Sequence, residues 1–109
     1  MSAVNDFVSE LVRAANELDL LANREKRRLL ARSVTAIRDM REEIGIPPSK
    51  TTADAVIDLQ ATEFRIMRRT ASAEEVRTAL LDAAGMIRDL HIVLDTGTNI
   101  QIGDGGGNG

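Results

Sequence analysis

The chain has no cysteine, no tryptophan and no tyrosine among its 109 residues. Disulfides, thiolate catalysis and cysteine-ligated zinc are therefore excluded. Phe7 and Phe64 are its only aromatic side chains, so leucine, isoleucine, valine, methionine and alanine must fill the core. Such a palette suits helices packed on helices better than stacked sheets. Proline occurs only as the pair Pro47-Pro48. No apolar run approaches the ~18 residues of a membrane span, and the opening MSAVNDFVSE has no basic segment leading into an apolar one. A cytoplasmic protein without a membrane partner is expected. The formal net charge of −3 and a pI near 5.1 give no general attraction for nucleic acid or anionic membranes.

What is present reads as one all-α domain. Hydrophobic residues at 43 % and charged residues at 28 % are ordinary for a globular chain. Val4, Phe7, Leu11, Ala14 and Leu18 recur at helical spacing, widened by Val8, Val12 and Ala15, and predict a first helix over Ser2–Leu18. A break follows at Asp19, with Leu20 and Leu21 packing inward and Asn23 capping the next helix; a continuous helix is the competing reading. The second helix spans Arg24–Ile44, its inner side carrying Leu29, Leu30, Ser33, Val34, Ile37, Met40 and Ile44. Gly45 supplies a left-handed cap, and Pro47-Pro48 prevents continuation. Thr51 or Thr52 caps a third helix over Ala53–Arg69, with Val56, Ile57, Gln60, Phe64 and Met67 as its main face. Ser72-Ala73-Glu74-Glu75 is a capping box that opens a fourth helix reaching Asp95. The short linkers predict two antiparallel helical hairpins forming a small bundle over residues 1–97. Residues 98–109 read as a short strand-like segment, with Ile100 and Ile102 alternating with polar residues, then a flexible glycine-rich tail.

The fourth helix carries the most informative pattern. Val76, Leu80, Ala83, Ile87, Leu90 and Leu94 form its inner stripe, while Leu81, Gly85 and Ile92 lie on the opposite side. A helix apolar on two sides is either central or shared between two surfaces. Gly85 costs about 1 kcal/mol relative to alanine in a helix interior. Close approach of another backbone can offset that cost; the alternative is a tolerated glycine beside two isolated surface hydrophobes. Leu81, Gly85, Ile92, Ile100 and Ile102 are accordingly the candidate oligomer interface.

Arg24, Arg27, Arg28, Arg32 and Arg38 lie opposite the Leu30/Val34/Ile37 stripe and form a candidate face for nucleic acid or an acidic partner. Arg24, Lys26 and Arg27 crowd the helix N-terminus while Glu42 and Glu43 occupy its C-terminal end, an arrangement opposed to the helix dipole. The alternative is a solvated face balanced by Glu25 and Asp39. His91 is the only histidine and lacks the repeated Glu-x-x-His pattern of carboxylate-bridged metal bundles, so a structural role is expected. Ser9, Ser33 and Ser72 have no nucleophile context, and the glycines near the end do not bridge a strand and a helix as a phosphate cradle does. No enzyme chemistry, metal or cofactor is expected.

A lone strand after an all-helical domain has no internal mate, so its backbone groups call for water or a second chain. Helical hairpins followed by the Thr98–Gly103 segment resemble the assembly regions of phage-type small terminase subunits, without that family's DNA-binding domain. The leading expectation is a non-enzymatic, self-associating protein-interaction module, a homo-oligomer that binds other proteins. The alternative is a small oligomeric nucleic-acid-handling subunit, of the phage packaging or regulatory type, using the Arg24–Arg38 face.

Overall fold

A computed structural model of the chain describes residues 3–45 and 50–96. Four helices account for nearly all of them: α1 (Ala3–Asn16), α2 (Asn23–Ile44), α3 (Lys50–Met67) and α4 (Ala73–Thr96). No strand occurs among the described residues; the proposed strand with Ile100 and Ile102, and the tail after it, lie outside them.

α1 buries Phe7, Leu11, Ala14 and Ala15, the stripe set by its apolar spacing. Val12, expected inside, is 38 % exposed, because a single stripe one or two side chains wide is enough to pack α1 on α4. The corner after α1 is a 3-10 turn, Leu18–Leu20, held by Leu20 N–H donating to the Glu17 carbonyl at 2.9 Å and Leu21 N–H to Leu18 at 3.0 Å. At three residues per turn, Leu18 and Leu21 fall on one face, and the two residues between, Asp19 and Leu20, are thrown off it. Leu18 is buried and Leu21 half-buried, whereas Leu20, expected to pack inward, is 77 % exposed. Nor does Asn23 cap α2: extended Ala22 occupies the cap position, and no left-handed residue is used in the corner.

α2 buries Leu29, Leu30, Ser33, Val34, Ile37 and Met40, with Ile44 packed at the margin of the core. The Ser33 hydroxyl, fully buried, donates to the Leu29 carbonyl one turn back at 2.8 Å, so no polar group is stranded there. Gly45 takes the left-handed conformation (φ 82°) and donates to the carbonyls of Arg41 and Glu42. Without a Cβ it does so at little steric cost.

α3 departs most from expectation. It begins at Lys50, so Thr51 and Thr52 fall inside the helix rather than before it. Its buried side is Val56, Leu59 and Ile66, and Ile57, Phe64 and Met67 are exposed by 59 %, 52 % and 47 %. The segment carries two apolar stripes, Leu59/Ile66 and Ile57/Phe64, each spaced by seven. Two residues apart, they stand about 160° apart around a helix. α2 takes the stripe without the aromatic ring.

Arg69 ends α3 in the left-handed region (φ 60°), with Thr70 N–H donating to the Arg65 carbonyl (2.8 Å) and Arg69 N–H to that of Ile66 (3.0 Å). That is a Schellman cap built without glycine. The capping box forms in full: Glu75 N–H donates to Ser72 Oγ (3.1 Å), and Ser72 N–H to Glu75 Oε1 (2.8 Å).

α4 buries Val76, Ala79, Leu80, Ala83, Ala84, Ile87 and Leu90 and is the central helix. The main interfaces are α1–α4, α2–α4 and α2–α3. The all-α bundle is thus held chiefly by helices distant in sequence, together with α2–α3, and the α3–α4 pair meets more lightly despite its short connection. Arg77 Nε donates to the Ala15 carbonyl (3.2 Å), satisfying an end group of α1 from α4 across the corner.

Candidate functional site

The light contact between α3 and α4 leaves a groove of about 760 Å³. One end is closed by the turn, where Arg65 Nη2 donates to Glu75 Oε2 and thereby ties α3 to the carboxylate that also completes the capping box. Leu59 of α3 and Ala79, Ala83, Met86 and Leu90 of α4 supply apolar lining. The polar lining is acidic: Asp58, Glu74, Glu75, Asp82 and Asp89 against the single guanidinium of Arg65, which Glu75 already engages.

Leu81 and Gly85, singled out from the sequence, both line this groove. Ile92 lies on the same outer side of α4 and is 51 % exposed. A Cβ at position 85 would meet nothing within 4 Å, so no neighbour among the described residues accounts for this glycine. Sequence reasoning missed the α3 wall, Asp58, Thr62 and Arg65. Their spacing of four and three was the available signal, obscured by placing the helix's inner face toward Phe64.

Four of the five arginines of the α2 face are exposed, and one of them is tied to another helix. Arg32 sits over the Phe7 ring, 4.3 Å from its centroid, and 3.6 Å from a Glu10 carboxylate oxygen, so it fastens α2 to α1. Arg28 pairs with Glu25 at 3.8 Å, and Arg27 is half-buried. Arg24 and Arg38 are exposed. The five residues share the outer side of α2 without converging on one point.

His91 is half-buried on α4, and among the described residues no three histidine, aspartate or glutamate side chains come together as a metal site. No described helix is long and apolar enough to cross a membrane. No family model, curated protein or solved structure matches the chain.

Proposed function

We propose that the chain is a non-enzymatic helical module that self-associates and works through protein–protein contact, with the outer side of α4 as its interface. The observation that supports this reading is a second apolar surface on the helix that already forms the centre of the core. Leu81 and Gly85 open into a preformed groove, and Ile92 extends the strip toward the helix C-terminus. Burying an exposed Leu or Ile contributes roughly 1.5–3 kcal/mol, and a preformed groove lowers the ordering cost of association. Symmetric oligomers are the usual product of a chain that recognises itself.

Sedimentation or light scattering across the micromolar range tests the reading. The wild-type chain should assemble, and Leu81→Asp with Ile92→Asp should give a folded species of lower mass. A wild-type chain that remains monomeric at high micromolar concentration would overturn self-association. The nucleic-acid reading gains less support, because Arg32 is engaged within the fold by Glu10 and the Phe7 ring and the groove beside α4 is lined with carboxylates.

A further inference from the structure

The groove is net acidic, and the α2 side of the α1–α2 corner is net basic beside an exposed leucine. The groove offers an apolar lining beside an acidic α4 wall, a setting that repels phosphates and favours an apolar side chain accompanied by cations. The corner offers that combination. Leu20 is the most exposed large apolar side chain among the described residues, at 77 %. Four residues on, Arg24 opens α2, and Arg28 follows one turn later, both exposed. Lys26 and Arg27 add positive charge on the α2 side, against Glu25 there and against Glu17 and Asp19 on the α1 side of Leu20.

We propose that the occupant of the α3–α4 groove is the Leu20 corner of a second copy. Leu20 enters between α3 and α4, Arg24 lies against the Asp82 carboxylate, and Arg28 and Asp89 exchange their exposed in-chain partners, Glu25 and Arg88, for each other. This inference rests on the self-association reading and deepens it by naming both halves of the contact. Because the halves are different surfaces, the contact is head-to-tail, and each copy keeps one groove and one corner free for the next. Such a contact builds a ring where the rotation closes and a filament where it does not.

Charge reversal with mixing tests the pairing. Asp58→Arg with Asp82→Arg and Asp89→Arg makes a chain whose groove and corner are both basic; Arg24→Glu with Arg28→Glu makes one whose groove and corner are both acidic. Each alone should associate at least about tenfold more weakly than wild type, since like charges then face each other. Mixed in equal amounts, they should assemble again, each groove meeting a corner of opposite sign. Circular dichroism and thermal melting establish that each variant is folded, and Leu20→Gln supplies a second, uncharged lesion expected to weaken assembly at unchanged helicity. Wild-type assembly that survives both reversals, or reversed variants that fail to associate on mixing although each is folded, would overturn the head-to-tail contact while leaving self-association standing. A monomeric wild type would overturn both.

Discussion

α4 and α3 are neighbours in sequence with similar apolar content, yet the fold uses them differently. α4 is enclosed by α1 and α2 over a wide arc, and its alanines at 79, 83 and 84 let neighbouring backbones come close. α3 rests on α2 along the narrow line of Val56, Leu59 and Ile66. One flank of α3 is left as a groove wall, and another carries Ile57 and Phe64 into solvent. Helices enclosed in this way resist local opening, whereas those held on one side open more readily. Stability should therefore concentrate in α4, while the surfaces free to recognise another molecule border α3.

The largest effect that tests this contrast is at Leu80, whose side chain is fully buried at the centre of α4. Leu80→Ala should cost about 2–5 kcal/mol, from lost transfer energy together with the cavity left behind. Urea unfolding monitored by circular dichroism measures it; a loss of less than about 1 kcal/mol would place the structural centre elsewhere.

A smaller effect falls on the joint between the two helices. Ser72→Ala removes the acceptor for Glu75 N–H and loosens the carboxylate that Arg65 engages. A lost cap costs about 1 kcal/mol. If the joint holds α3 to α4, amide exchange should quicken on the last turn of α3 as well as the first turn of α4. Exchange changes confined to α4 would show that the Arg65–Glu75 pair does not couple them.

Gly85→Ala probes the outer side of α4 against its inner side. The added methyl meets nothing within 4 Å, so only the backbone preference changes. The substitution should raise stability by about 0.5–1 kcal/mol. If a partner enters the groove, the same methyl should weaken association, so stability and assembly should move in opposite directions. Unchanged assembly would mean that the glycine serves no close approach.

The parts of the fold legible in the sequence are those where chemistry left one choice. Gly45 before two prolines, the Ser72/Glu75 box and the inner stripe of α4 each had a single reading, and each is found in the structure. The inner face of α3 was not legible, because Ile57/Phe64 and Leu59/Ile66 obey the same period and only the tertiary partner chooses between them. The larger side chain drew the wrong choice. The exposure of Leu20 was hidden for a related reason: helical spacing does not foretell a 3-10 turn, and that turn alone separates Leu20 from Leu18 and Leu21. Of the candidate site, the α4 half at Leu81 and Gly85 was legible, whereas the α3 wall of Asp58, Thr62 and Arg65 depends on the rotation of α3 that the sequence left open.

The smallest expected effect completes the contrast and sits at the side chain that looks most like a core residue. Phe64 is 52 % exposed, with Arg68 5.7 Å from its ring centroid on the same outer surface. Had the ring been the inner anchor of α3, its removal would cost about 3–5 kcal/mol. Half of a full burial energy of roughly 1.5–3 kcal/mol remains to be lost, and the better helix propensity of alanine returns up to about 0.7 kcal/mol. Phe64→Ala should therefore cost only about 0.5 kcal/mol, several-fold less than Leu80→Ala although the ring is the larger group. Leu59→Ala in the same helix should exceed it clearly, because Leu59 is buried against the bundle. Comparing the two by urea midpoint reads the rotation of α3 directly: a larger loss for Phe64 than for Leu59 would turn the helix by about 160° and remove Asp58 and Arg65 from the groove.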